Sequence, residues 1–415
     1  MSLEHASSSV AHAGDSSALR SWNVAAVLRV LFDAQGSPPS TPPSSRTDGH
    51  TVTDIARTAG VSRPTAEAAV EALIGQGWLT VAPPPAKAGR RTAGRPARRI
   101  RFNADAGCVV GVDIAPHWVR CLVADLAGQV IGRADYPLAG GATAEERIAA
   151  ARVAITEALR LADRTDDRIL AATATTVGIV QADGEVLRSL LPGLSGRNIA
   201  EMLKPLLPVP VRVSNDMRAA VLAEHWVGAA VDCRSAVYLH VGRRLGSAFL
   251  IDGASPLGHH GAAGEIPPET GRRLIDAYRK LIRFTGVHVD TLSREELLAV
   301  DPHTVFDAAR LGDPGAHHAV TEFAGEFAEG MEGLVITVDP EVVVVGGGVV
   351  VAGEVAAEAF RTHFAKVCTF EPRVVVSTLG ENAAAMGAVR LALNDVEAHL
   401  FANPLAHPTT MGAVG

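Results

Sequence analysis

The sequence predicts a multi-domain chain in which an N-terminal winged helix-turn-helix precedes a two-lobed α/β body. Three observations carry this expectation. Between residues 51 and 81, two helix-forming stretches flank a glycine and run into a strand. Charge is divided unevenly: residues 1–104 hold 12 basic and 7 acidic side chains, a net of +5 in a chain of net −7, which leaves −12 for the remainder. Beyond residue 105, two successive sets of strands are each followed by alternating helical and strand patterns. A chain of 415 residues is too long for one small core, which agrees with two or three domains.

Residues 18–104 are expected to form the head. Leu19 to Asp33 puts Val24, Val27, Leu28 and Leu31 at helical spacing. The Pro/Ser-rich stretch 37–49 is expected to be an exposed loop. Thr51 or Thr53 caps a short helix containing Ile55 and Ala56, Gly60 permits a sharp turn, and Ser62 caps a second helix with Pro64 in its first turn, where a missing N–H costs nothing. Val61, Val70, Leu73 and Ile74 are the expected inner face. Gly77 ends the helix, and Trp78, Leu79 and Val81 begin a strand.

No acidic residue occurs from Ala72 to Ala104, while Lys87, Arg90, Arg91, Arg95, Arg98, Arg99 and Arg101 do. Composition alone allows a solvated linker. Placed after a helix pair, the run reads instead as a basic wing. The N-terminal end of the second helix, with Ser62, Arg63, Pro64, Thr65 and Glu67, fits a major groove about 12 Å wide and turns its first side chains to base edges. Arg90, Arg91, Gly94, Arg95, Arg98 and Arg99 are expected to reach phosphates or a narrow minor groove. Double-stranded DNA is thus the expected partner of the head.

In the body, 108–114, 118–125 and 129–136 are β-rich runs expected to pair as an antiparallel meander. Thr143 and Glu146 form a capping box for a helix through Ala162. The first lobe is assigned 105–230 and the second 231–397, with a ligand expected in the cleft between them. Segments 1–17 and 398–415 are expected to be disordered tails. No apolar run approaches the roughly 18 residues of a membrane span, and no signal peptide is evident, so the expected location is cytoplasmic with no membrane partner. Four scattered cysteines (Cys108, Cys121, Cys233, Cys368) read as free thiols.

The basic run AGRRTAGRPARRIRF, with VSRPTAEAAVEALIGQGWL before it and GVDI after it, resembles the ROK family of bacterial repressors and sugar kinases, from about Leu19 to Val396. The resemblance implies a winged helix-turn-helix joined to a sugar-kinase-like body of the actin-like ATPase type. It also implies a homo-oligomer, dimer or tetramer, which matches the need of such heads for paired half-sites. SNDMRAA at 214–220 matches the segment whose Asp takes the proton from the sugar hydroxyl in the kinases; by position that is Asp216, with Asn215 as a sugar contact. An Asp after a strand is equally an ordinary helix cap. GAAGEI at 261–266 makes Glu265 a candidate hydroxyl acceptor.

The departures from the family pattern matter as much. Members continue Ile-Gly-His after that Glu, and the His binds zinc with a cysteine-rich loop; here Ile266-Pro267-Pro268 follows and no such loop occurs, so neither zinc nor another cofactor is expected. Where the kinases place a Gly-Thr-Gly phosphate turn, this chain has Gly242-Arg243-Arg244-Leu245-Gly246, and the facing turn is Ala115-Pro116-His117. Side chains there fill the space that backbone amides need to wrap a triphosphate, and Pro116 removes one donor. The run 346–348, all glycine, reads as a strand-to-helix turn or as an adenosine contact. The expectation is a transcriptional regulator, a repressor, whose body has lost kinase activity and senses a sugar or related effector. Two alternatives stay open: an active ATP-dependent sugar kinase with Asp216 as base, and a regulator whose body only oligomerises.

Overall fold

The computed structural model describes residues 7–35, 49–83, 98–293, 296–297 and 300–408. The Pro/Ser-rich stretch up to residue 48, and with it Lys87, Arg90, Arg91, Gly94 and Arg95, lies outside the described residues.

The head begins with α1 (Ser7–Asp33), which starts earlier than expected, inside the segment assigned to a tail. Once residues 24–31 are packed, adding Ala- and Ser-rich turns to an existing helix needs no new nucleus. There follow β1 (His50–Thr51), α2 (Val52–Ala59), α3 (Arg63–Gly75), β2 (Leu79–Val81) and β3 (Arg99–Phe102). Thr51 rather than Thr53 caps α2, its hydroxyl accepting from the Asp54 N–H at 3.2 Å, and Gly60 ends it in the left-handed region. Ser62 caps α3, accepting from the Thr65 N–H at 3.3 Å. β3 pairs antiparallel with both β1 and β2. Val24, Val27, Leu28 and Leu31 bury against Ile55, Val70, Leu73 and Trp78; Val61 and Ile74 are only partly buried.

The first lobe is a five-stranded sheet. β4 (Cys108–Ile114), β5 (Trp118–Asp125) and β6 (Val130–Pro137) form the antiparallel meander. α4 (Ala144–Leu161) then crosses to β7 (Ile169–Thr176), which runs parallel to β4. β8 (Ile179–Val180), β9 (Glu185–Arg188) and β10 (Arg197–Asn198) make a small separate sheet, and α5 (Ile199–Leu203) leads to β11 (Val211–Asn215), parallel to β7. The capping box is present, with Glu146 N–H to Thr143 Oγ1 at 3.2 Å and Thr143 N–H to Glu146 Oε2 at 2.7 Å.

After α6 (Asp216–Val227), the second lobe repeats the plan with four strands. β12 (Ser235–Val241) and β13 (Leu245–Ile251) form a hairpin; α7 (Pro268–Arg283), α8 (His303–Arg310) and α9 (Pro314–Val338) cover one face; β14 (Val342–Gly346), α10 (Glu354–Val367) and β15 (Arg373–Val376) complete it. No helix among the described residues is long and apolar enough to cross a membrane.

The last helix, α11 (Ala383–Ala402), corrects two expectations. It does not belong to the second lobe, although most of it falls within 231–397: it returns to pack on α6, β4 and β7 of the first. Gly387 makes this possible, because a Cβ there would stand 1.9 Å from the Ala219 carbonyl oxygen. Nor is the chain a free tail from 398. Leu400 is fully buried in the head's core, the Phe401 ring meets Phe32 edge-on at 5.5 Å under the Arg29 guanidinium, and Trp78 Nε1 donates to the Ala406 carbonyl at 2.7 Å. Val396 and Leu400 lie one turn apart and both find apolar partners on the head, so tertiary burial carries the helix past its expected end. The head and the first lobe therefore share one core.

Candidate functional site

Arg63, Thr65 and Glu67, the residues expected to read DNA, lie in the first turns of α3, and the charges of Arg63 and Glu67 are already paired. Arg63 Nε meets Glu67 Oε1 at 2.9 Å, one turn along, and the Ser62 and Thr65 hydroxyls lie 2.8 Å apart. Arg98 pairs with Glu71 on the same helix. Arg99, expected to grip DNA, donates to the Gly49 carbonyl at 2.9 Å and lines a cavity of about 570 Å³ between the head and the first lobe, with Arg101, Asp54, Asp105 and Asp125 among its walls. Of the expected wing residues within the described chain, Arg98 thus lies against α3 and Arg99 lines the cavity toward the body.

The cleft is built where three strand ends meet. Asn215 closes β11 and caps α6, its Oδ1 accepting from the N–H groups of Met217 at 2.9 Å and Arg218 at 3.0 Å, while its Nδ2 donates to the Gly178 carbonyl at 2.9 Å. The cap is therefore Asn215 and not Asp216, which is the first helical residue and is released from capping duty. Asp216 is almost wholly enclosed and forms an ion pair with Arg244, from the three-residue turn between β12 and β13. Its other oxygen accepts from the Met217 N–H at 3.0 Å.

Asp113, the next-to-last residue of β4, lies within the field of this pair. Thr175 Oγ1 donates to its Oδ1 at 3.0 Å and Trp118 Nε1 approaches its Oδ2 at 3.4 Å. Burial first, then the charge of Asp216, pushes the Asp113 carboxyl up to about 6, with Arg244 opposing. On β12, burial and the Arg244 guanidinium push His240 down to about 3, so it is neutral at ordinary pH. Glu265 is open to solvent on one side; the protein around it and then the Asp216 charge raise its carboxyl above the usual range, with Arg188 opposing. Its segment is tied to β13 by Ser247 Oγ donating to the Gly264 carbonyl at 2.6 Å.

The two altered turns lie within electrostatic reach of each other. In the first lobe, Arg147 is fully buried and donates to the carbonyls of Ala115 at 2.5 Å and Pro116 at 3.3 Å, clamping the 115–117 turn from beneath. Burial, then the guanidinium groups of Arg243, Arg147 and Arg244, disfavour the charged form of His117, with Asp301 opposing. The first-lobe turn thus lies within the field of both arginines of the second-lobe turn. The glycines at 346 and 347 have a packing explanation: a Cβ at 346 would stand 2.2 Å from the Tyr238 hydroxyl oxygen, and one at 347 would stand 3.0 Å from His240 Nε2.

The structure thus brings Asp216 and Glu265 into one electrostatic site with Asp113 and Arg244, while Asn215 shapes that site mainly as a cap. Arg244, Asp113, Arg147 and His240 were not among the candidates read from the sequence. Arg147 had a legible signal, since it interrupts the otherwise apolar stripe Ala144, Ala151, Ala154 and Ala158 on α4. Arg244 was visible as part of the altered turn, but its pairing with Asp216 had no signal, because that partner is distant in the chain. Among the described residues, no group of three or more His, Cys, Asp or Glu is arranged to hold a metal ion.

A profile of the ROK family matches residues 109–267 and 283–395. The chain belongs to the ROK family. The ROK body is preceded by a helical N-terminal region, and its two-lobed α/β architecture is that of the family's actin-like sugar-kinase fold. Over 372 residues the chain is 23% identical to a xylose repressor of Caldicellulosiruptor bescii, covering 83% of this chain and 92% of that one. It is 25% identical over 311 residues to a glucokinase of Halalkalibacterium halodurans, covering 67% and 92%. A crystal structure of a ROK family transcriptional regulator, homolog of E. coli MLC protein, superposes with a TM-score of 0.68 over 95% of this chain and 100% of that one at 17% identity. A ROK glucokinase from Streptomyces griseus, in complex with glucose and AMPPNP, gives 0.58 over 69% and 100% at 23%. ROK membership spans both repressors and kinases.

Proposed function

We propose that this ROK protein is a DNA-binding transcriptional regulator, a repressor, whose winged helix-turn-helix head is governed by a kinase-like body that senses a small sugar-related molecule and no longer transfers phosphate. The observation that carries this reading is the Arg244–Asp216 pair. A catalytic base must accept the proton of a sugar hydroxyl, and a charge-neutralised, enclosed carboxylate is a poor acceptor. The same arginine stands in the turn where backbone amides would otherwise wrap a phosphate, and Arg147 clamps the opposite turn through its carbonyls.

The sheet of β1, β3 and β2 behind α3 supports the winged form of the head. Homo-oligomerisation, as a dimer or tetramer, would set the spacing of two heads on paired half-sites. We also assign the protein no zinc: Pro268, the first residue of α7, stands where zinc-binding members carry their histidine, and the four cysteines lie on separate elements. These residues do not fit a structural zinc site.

The test is an assay of ADP release by the full chain with ATP and a panel of hexoses and pentoses, alongside DNA binding. The expected result is no sugar-dependent turnover and specific DNA binding that falls in Arg63→Ala by about 1–3 kcal/mol, the worth of one good base contact. Arg98→Ala is expected to weaken all sequences alike and reduce the salt slope. Because the head shares its core with the body, point substitutions serve better than removing residues 1–104. Sugar-dependent ADP release that disappears in Asp216→Asn would establish the kinase alternative instead.

A further inference from the structure

Resting on the sensor reading of the cleft, we propose that the effector is an anionic sugar, a polyhydroxylated molecule carrying a phosphate or carboxylate, whose anion takes over Arg244 while its hydroxyls take over Asp216. One Asp216 oxygen is held by Arg244 and the other by the Met217 N–H. A sugar hydroxyl reaches Asp216 as a donor only when the ion pair loosens, and this leaves a largely enclosed guanidinium without its counter-charge. A neutral sugar supplies only weak hydroxyl acceptors to that guanidinium. An anion supplies a charge-assisted, bidentate replacement, for which the planar guanidinium is suited.

The surroundings favour the same ligand. Arg243, next in the turn, makes no ion pair and no side-chain hydrogen bond among the described residues. Arg147 is fully buried with only the backbone carbonyls of Ala115 and Pro116 as acceptors, and its Nε has no partner. The charges of all three guanidinium groups reach His117, and Asp301 is the acidic group whose charge opposes them there. Of the three, only Arg244 has a carboxylate of its own, and the proposed ligand must compete for it.

The experiment titrates the full chain with glucose, mannose and xylose; with glucose 6-phosphate, mannose 6-phosphate and ribose 5-phosphate; with gluconate and glucuronate; and with inorganic phosphate as control. Binding is read by calorimetry and by the change in DNA affinity. At least one phosphorylated or oxidised sugar is expected to bind roughly tenfold or more tightly than its neutral parent, the scale of a charge-assisted contact. Inorganic phosphate is expected to leave DNA affinity unchanged. Arg244→Gln is expected to abolish the preference and to improve binding of the neutral parent. Should Arg244→Gln fail to fold, Arg243→Gln is expected to weaken the anionic ligands alone. If a neutral sugar binds as tightly as its anionic forms and neither variant alters this, the inference falls and the sensor reading stands. If no sugar of either charge binds or shifts DNA affinity, the sensor reading falls with it.

Discussion

Two arginine–carboxylate pairs show how differently one contact behaves in two parts of this molecule. Arg63 and Glu67 meet one turn apart on a helix surface, with 68% and 51% of their side chains exposed. Arg244 and Asp216 come from different lobes of the fold and retain only 23% and 3%. Water and salt screen the first pair, so it holds Arg63 in position and yields readily to a base edge or phosphate. Desolvation makes the second pair hard to open unless both members find new partners at once. Under the proposed function, this difference poises the head for exchange with DNA and lets the cleft discriminate among ligands.

The largest expected effect comes from breaking the enclosed pair. Arg244→Ala leaves Asp216 without a counter-charge and is expected to cost about 3–5 kcal/mol in denaturant unfolding at neutral pH. A loss below about 1 kcal/mol would put the cleft pair in the same class as the helix pair. Asp113 sharpens the point through pH. Its folded-state carboxyl is raised to about 6 from an ordinary 3.8, so the folded state binds more protons between those values and stability falls as pH rises through that window. The expected loss is on the order of 2–3 kcal/mol between pH 4 and 7, and it should vanish in Asp113→Asn. An unchanged slope in that variant would mean that Asp113 is ionised and solvated.

A smaller effect tests whether the two regions are one unit. Trp78→Phe keeps the buried ring but leaves the Ala406 carbonyl without its donor; about 1–2 kcal/mol is expected, with head and body still melting together. Separate transitions in the wild type would break the comparison, because the two pairs would then sit in independent domains. The smallest effect is at α3. A double-mutant cycle on Arg63 and Glu67 should give a coupling of roughly 0.3–0.5 kcal/mol that disappears in high salt.

Much of the head and the order of the body's strands was legible because these features are local. Ser62, Pro64 and Gly60 punctuate the helix pair through their own backbone preferences, and the 108–136 meander follows from short turns between apolar runs. Glu265 and Asp216 were legible only through the family resemblance. What covers them was not: Arg244 looked like damage to a phosphate turn, and its role as the partner of Asp216 depends on how the lobes meet.

By itself the sequence determined the caps at Ser62 and Thr143, the alternation of strands and helices and the basic head, since each depends on residues within a few positions of one another; the loss of glycine from two turns was legible only against the family pattern. Only the tertiary structure decided that α11 returns to the first lobe, that residues beyond 398 pack beneath the head, and that Asn215 takes the capping role and frees Asp216. It alone placed Arg244 against that carboxylate. The physical reason is that desolvation, close helix approach and charge pairing are set by neighbours brought together from distant parts of the chain, as at Gly387 with Ala219 and Trp78 with Ala406.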